Sequence, residues 1–237
     1  EEEAGVFFVA KKSGKLRLII DARRFNQRLK PPPRTHLAST AAVVELRTEG
    51  VDDLFFSVQD VADCFYQFRI PVYLRKYFGL RPVRAGDVGI TSVDGVDVRP
   101  SQQIFPVIAV LPMGFSYAVH WTQAAHRELL ARCGAGGLES ELVDRQPAPL
   151  FSNVSPLKLI YIDNELFVSP VPGESSSSRK HVHNALSKHG LPFHEIEDEK
   201  RLITIIGIEL DGIKHRARAA QAKRWRLFGT FGMRRSA

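Results

Sequence analysis

At 237 residues with 44% hydrophobic content, the chain can bury a core of domain size, which excludes a disordered polypeptide and fits one large domain or two small ones. A formal charge of +7 favours a polyanionic partner without identifying it. Two cysteines, Cys64 and Cys133, make neither a disulfide framework nor a zinc-ligand spacing, and no apolar run approaches the ~20 residues of a membrane span, so a soluble, intracellular protein, cytoplasmic or nuclear and with no membrane partner, is expected. The distribution of charge says more than its sum. Lys11 to Arg34 holds nine Lys or Arg against one acid, Asp21, and Lys214 to the end holds eight with no acid, whereas residues 35–213 carry 16 basic and 22 acidic groups. Basic flanks around an acidic centre suit a protein that grips a phosphate backbone at its edges and divalent cations in the middle.

"GVFFVAKKSGKLRLIID" reads as a β-hairpin, with strands Val6 to Ala10 and Leu16 to Asp21 around a turn at Ser13-Gly14. Pro31 to Pro33 break the chain before a short helix over Ala41 to Leu46. Leu54 to Asp60 is a buried strand that delivers Asp60 at its C-terminal end, and the pairs Phe7-Phe8 and Phe55-Phe56 are expected in the core. "KYFGLRPV" and "QIFPVIAVL" suggest further strands around a Gly- and Asp-rich loop or hairpin. "SYAVHWTQAAHRELLARCG" is the clearest helix, capped by Ser116, with Ala118, Trp121, Ala125 and Leu129 on one face and Gly134 as its stop.

"LKLIYIDNELFVS" predicts two strands folded about Asp163-Asn164. The Ser175 to Ser178 run predicts a linker into a helix ending near Gly190, "RLITIIGIEL" a last strand, and the tail from Lys214 a basic helix. His181, His183, His189 and His194 match no familiar zinc spacing and are expected on the surface.

Asp60 and Asp163 each sit at the end or bend of an apolar strand. Either alone reads as an ordinary turn residue. Two carboxylates brought together by neighbouring strands would repel unless cations lay between them, and Mg²⁺ prefers such oxygen ligands together with substrate phosphates.

Several blocks, in order, resemble the reverse transcriptases of long-terminal-repeat retrotransposons and retroviruses. "FFVAKKSGKLRLIIDARRFN" is similar to the fingers hairpin, "FSVQDVADCFYQFRIP" to motif A, "LPMGF" and the following helix to motif B, "YIDN" to motif C, and "HGLPFHEIEDEK" and "IIGIELDG" to motifs D and E. The resemblance implies an α+β right-hand polymerase palm, an antiparallel sheet backed by helices with a fingers β-hairpin, over residues 1–213. Residues 214–237 would be the truncated basic start of a thumb, in a piece of a longer polyprotein.

By the same resemblance, Asp60 and Asp163, with the Val61 carbonyl, would bind two Mg²⁺ ions (Mn²⁺ being an alternative), and Asn164 would complete the catalytic group. Lys11, Lys12 and Arg17 would reach the triphosphate of a deoxynucleotide. Phe65 would exclude its 2′-hydroxyl, and Asp63 and Cys64 would line the pocket through their backbone. Met113 and Gly114 would lie under the incoming base and the template. Gln123 is a further template candidate and Lys200 a candidate proton donor. The partners implied are a dNTP and an RNA or DNA template-primer.

The family's motif C has two consecutive aspartates, and here the second is Asn164. At about 4 Å and an effective dielectric of about 20, one unit-charge pair is worth about 4 kcal/mol. Lost wholly from the transition state, that is roughly a thousandfold in rate. Glu165 shares a strand face with Asp163 by the two-residue period but is not expected to compensate. Val119 stands where motif B often has proline, and residues 84–103 and 134–156 read as insertions. The expectation is thus an impaired RNA-directed DNA polymerase. The alternative is an inactive retroelement remnant that only binds nucleic acid, and Phe65 disfavours an RNA polymerase on the same palm.

Overall fold

A computed structural model describes residues 3–10, 14–134, 137–151 and 155–221. Lys11 and Lys12 therefore lie outside the described residues. In chain order the first elements are β1 (Gly5–Ala10), β2 (Leu16–Asp21), α1 (Arg23–Asn26), α2 (Thr40–Val44), β3 (Phe55–Val61), α3 (Cys64–Gln67) and α4 (Val72–Arg75). The short strands β4 (Val83–Arg84), β5 (Ser92–Val93), β6 (Val96–Asp97) and β7 (Gln103–Ile104) precede the long helix α5 (Ala118–Arg132). Then come β8 (Leu157–Tyr161), β9 (Asn164–Ser169), α6 (Glu174–Lys188), β10 (Phe193–Lys200), β11 (Leu202–Ile205), β12 (Ile208–Asp211) and β13 (Arg216–Ala219). Among the described residues all the strand ladders are antiparallel, and the fold is α+β. It divides into two compact units, Glu1–Arg34 with Asp63–Thr122, and Thr35–Ala62 with Gln123–Ala237.

In the first unit the expected β1–β2 hairpin forms, with its register running from Gly5 opposite Asp21 to Ala10 opposite Leu16. Phe7 and Phe8, expected in the core, are instead 49% and 61% exposed. The core of this unit is aromatic and lies elsewhere. Phe25 stacks on Tyr77 with ring centroids 4.6 Å apart, and Phe78 meets Phe115 edge-on at 5.2 Å. Around them Ala22, Ile70, Leu111 and Ala118 are buried.

The two strands expected at residues 76–83 and 103–111 shrink to the two-residue ladder β4–β7, with further isolated bridges from Gly79 to Val107 and from Arg69 to Val110. Pro82 and Pro106 donate no ladder hydrogen bond, which confines regular pairing to short stretches. The loop between them holds the hairpin β5–β6, turned by Asp94 and Gly95 at φ +50° and +78°.

In the second unit, four strands form one sheet in the order β10, β3, β9, β8. Alternation along its strands separates two faces. Phe56, Val58, Leu159, Leu166 and Val168 enter one core cluster with Ile203, Ile205, Ile208 and Leu210 of β11 and β12. On the other face Ile160 and Phe167 pack with Leu130 of α5 and with Val182 and Leu186 of α6. The same face also carries buried Ser57, Gln59, Glu165 and Ser169, polar residues inside apolar strands.

Two expectations for this unit are corrected. The serine run is not a linker, because Ser175 to Ser178 are the first turn of α6, with Ser175 and Ser176 buried. The Glu199 carboxylate holds that turn, accepting from Ser175 Oγ at 2.5 Å and from the N–H groups of Ser176 and Gly173 at 2.9 Å each. Burial alone would raise the Glu199 carboxyl, but these bonds outweigh it and hold it below its ordinary value. The basic tail also does not begin as a helix, and among its described residues, 214–221, only Gln221 is helical. Residues 216–219 form β13 against β12, and the alternation Arg-Ala-Arg-Ala leaves Arg218 free to pair with Glu209.

Because one carboxylate satisfies three donors at the start of α6, Glu199→Ala is expected to destabilise the fold by roughly 2 kcal/mol. Urea unfolding checks this, with a lowered midpoint and an unchanged slope.

Candidate functional site

Asp60 is the next-to-last residue of β3 and lies opposite Asn164, the first residue of β9. Tyr161 also pairs with Asn164, so the β8–β9 turn consists of Ile162 and Asp163, one residue earlier than the expected Asp163-Asn164. The Val61 N–H donates to the Asp163 carbonyl at 2.9 Å, tying the turn to the end of β3. The structure therefore brings together Asp60, Val61, Asp163 and Asn164, where the apolar face of the sheet runs out.

Burial, and next the charge of Asp163, push the Asp60 carboxyl up to about 7, against a smaller opposing effect of His194. The His194 ring comes from β10, directly opposite Asp60, and its Nδ1 is 3.3 Å from Asp60 Oδ1 and 3.2 Å from the Asp60 carbonyl oxygen. Asn164 Nδ2 donates to Asp163 Oδ1 at 2.9 Å, so the amide turns a donor toward the carboxylate where a second aspartate would repel it.

Among the described residues no group of three or more His, Cys, Asp or Glu is arranged to hold a metal ion. Two converging carboxylates and an amide nevertheless fit the pattern of Mg²⁺ sites, which use one or two carboxylates and leave other positions to water and phosphate.

Ile162 has φ +60°, a left-handed conformation that costs a β-branched residue about 1–3 kcal/mol. Gln123 of α5, expected at the template, is instead 1% exposed and bound to this turn. Its Oε1 accepts from the Ile162 N–H at 2.8 Å, and its Nε2 donates to the Ile160 carbonyl at 3.1 Å. One turn further along, His126 Nδ1 donates to the Ile162 carbonyl at 2.8 Å, and His126 Nε2 meets Glu165 Oε1 at 2.5 Å. Burial alone would lower the imidazole, but its bond to Glu165 and that carboxylate's charge outweigh this and raise it. Glu165 is thus committed to the helix-facing side of the sheet, away from Asp60. The buried face of α5 runs through Ala118, Thr122, His126 and Leu130, one position round from the expected stripe. Ser116 does not cap the helix, and its Oγ is buried without a hydrogen-bond partner.

Lys200 pairs with Phe56, four residues before Asp60, which sets it roughly 13 Å back along the strand and removes it from the carboxylates. The first unit carries the remaining candidates. Arg17 is exposed on β2, Asp63 has φ +47°, Cys64 is buried, and Phe65 packs half-buried against the aromatic cluster. The Met113 carbonyl accepts from the Ile20 N–H at 3.1 Å. Gly114 has φ +110°, and an added Cβ would lie 2.3 Å from the Ile20 carbonyl oxygen. Its glycine is therefore required by close packing on β2, whatever else approaches it.

His194, expected on the surface, is half-exposed but beside Asp60, and neither Gln59 nor His126 was assigned a role from the sequence. A signal was available for the last two, since polar residues interrupt apolar periodicity at Gln59, Glu165, Gln123 and His126.

A carboxyl that keeps its proton to higher pH in the folded chain than in the unfolded one has a definite linkage sign. Below about pH 4 Asp60 is protonated in both states. As pH rises from about 4 to about 7 the unfolded chain ionises first, so folding weakens, by at most about 4 kcal/mol. In the presence of a chelator, Asp60→Asn is expected to raise the melting temperature by roughly 3–6 °C at about pH 8 and to change it little near pH 4, as followed by calorimetry.

No family model matches the chain, and no curated protein matches its sequence. Solved structures do. The foamy viral protease-reverse transcriptase dRH in complex with double-stranded DNA is similar with a TM-score of 0.66 and 15% identity, over 99% of this chain and 33% of that one. The foamy viral protease-reverse transcriptase in complex with double-stranded DNA gives 0.65 and 15%, over 99% and 39%. The native prototype foamy virus protease-reverse transcriptase gives 0.59 and 15%, over 89% and 23%. The chain spans well under half the length of each. It has a reverse-transcriptase-like α+β fold.

Proposed function

We propose that the chain is the fingers and palm of an RNA-directed DNA polymerase, residues 1–213, followed by the start of a thumb in a longer intracellular retroelement polyprotein. One observation carries this reading. The register of β3 on β9, with Asp60 opposite Asn164, and the bond from the Val61 N–H to the Asp163 carbonyl set Asp60 beside the turn that carries Asp163. A fold similar to solved reverse transcriptases, two of them bound to double-stranded DNA, supports a template-primer as the partner.

Asp60, Asp163 and the Val61 carbonyl would hold Mg²⁺, or Mn²⁺ in its place. Two such ions, when bound, activate a primer 3′-hydroxyl and steady the departing pyrophosphate. The protein's own part is to present both carboxylates ionised at one place, which a cation favours by relieving their repulsion. Lys11, Lys12 and Arg17 would supply cationic donors to the triphosphate of a dNTP, and Phe65 would exclude a ribose 2′-hydroxyl, with Asp63, Cys64, Met113 and Gly114 lining the nucleotide and template site.

The Asn164 amide favours a second reading. It removes one negative charge and donates to Asp163, which satisfies that carboxylate without a cation. On this reading the chain binds template-primer and turns nothing over.

Primer extension on an RNA template separates the two. Weak synthesis by the natural sequence, a rise of roughly tenfold to a thousandfold with Asn164→Asp, and loss with Asp60→Ala are expected for the polymerase. Salt-sensitive template binding with no extension in any variant would leave the binding reading. In an extending variant, Phe65→Ala should increase ribonucleotide use.

A further inference from the structure

Asp163 is the second residue of a two-residue turn whose first residue, Ile162, is left-handed. Such a turn ordinarily carries glycine at that first place, because a side chain there is strained. Isoleucine does not favour the conformation, so it is held from outside. The hold is specific. Both backbone polar groups of Ile162 are bonded to side chains on one face of α5, its N–H to Gln123 and its carbonyl to His126, while Gln123 also donates to the Ile160 carbonyl.

The bonds continue beneath the sheet. His126 is held by Glu165 at 2.5 Å, Glu165 accepts from Gln59 Nε2 at 2.5 Å, and Gln59 Oε1 accepts from Arg179 at 3.2 Å. Arg179 of α6 is fixed in turn by both oxygens of Asp198. Gln59 and Glu165 lie opposite each other in register, next to the pair Asp60 and Asn164. The chain of bonds thus crosses the same two strands, at the same point, as the candidate site, on the opposite face. Gln59, Gln123, His126 and Glu165 are each no more than 2% exposed. Buried ionic groups are expensive compared with apolar packing, and their best-attested use is to fix one arrangement among several.

We propose that this buried relay is a positioning device, in which Gln123 and His126 set the Asp163 carboxylate against Asp60 and the Gln59–Glu165 bond locks the register of the two strands that carry the site. The inference rests on the reading that Asp60 and Asp163 bind a divalent cation. None of the relay residues touches the cation. Gln123 and His126 act through the backbone of Ile162, and Gln59 and Glu165 through the register of β3 and β9.

Manganese titration of the full chain, followed by electron paramagnetic resonance, tests it. Asp163→Ala is the control for the metal site. Gln123→Met keeps the side-chain volume and removes both of its bonds, Gln123→Glu keeps the acceptor for the Ile162 N–H alone, and His126→Gln weakens the second hold. The expected result is loss of Mn²⁺ binding in Asp163→Ala, a dissociation constant raised about tenfold in Gln123→Met and His126→Gln, and a smaller rise in Gln123→Glu. That partial rescue would not follow from general destabilisation. Should Gln123→Met not fold, the grading between natural sequence, Gln123→Glu and His126→Gln carries the same test. Unchanged Mn²⁺ affinity in folded relay variants, with binding lost in Asp163→Ala, overturns the positioning role and leaves the metal site standing. Equal binding by the natural sequence and Asp163→Ala overturns the metal reading, and the positioning role with it.

Discussion

Two carboxylates that repel one another are held together at one end of a sheet, and much of the second unit is arranged so that they cannot separate. Asp60 sits near the end of β3, Asp163 in the turn that feeds β9, and the hydrogen bond from the Val61 N–H to the Asp163 carbonyl closes the space between them. A pair of like charges kept in this way stores proton affinity, and it favours any cation that relieves it. Position along the strands decides the rest. The apolar residues Phe56 and Val58 precede Asp60 on the same face and close off the core, so the carboxylates stand where the apolar layer ends.

The opposite face explains how an unfavourable juxtaposition persists. Apolar packing by Ile160, Phe167, Leu130, Val182 and Leu186 holds the helices on the sheet, while a row of buried polar side chains from Gln123 to Arg179, anchored by the half-buried Asp198, fixes the strands at one point along their length. A satisfied polar network is directional in a way that apolar contact is not. It also accounts for the left-handed Ile162, whose backbone groups both find partners on α5.

Much of this was legible in the sequence, for physical reasons that differ from place to place. The hairpin from Gly5 to Asp21, the strand ending at Asp60 and the paired strands around Asp163 are marked by strong apolar runs bounded by turn residues, and they fold as read. The turn was misplaced by one residue because Asp-Asn chemistry suggested the bend, whereas cross-strand register and side chains of α5 decide it. Phe7 and Phe8 look like core, yet their hairpin has both faces open within the described residues of its unit. The serines of α6 have linker composition, and only the distant Glu199 turns them into a helix start. Gln123 and Glu165 were legible as polar residues out of pattern, but not as partners. A contact between residues 123, 126, 162 and 165 is a property of the packed helix and sheet, which no local signal encodes.

The protonation of Asp60 is the most direct test of whether the two carboxylates are held against each other. Carbon-13 detected titration of the aspartate carboxyls, without metal, should show Asp60 titrating near 7 in the natural sequence and lower in Asp163→Asn, where burial alone still holds it above the ordinary carboxylate range. The same Asp60 titration in both proteins would mean that Asp163 does not act on it and that the pair is apart, and would contradict the account.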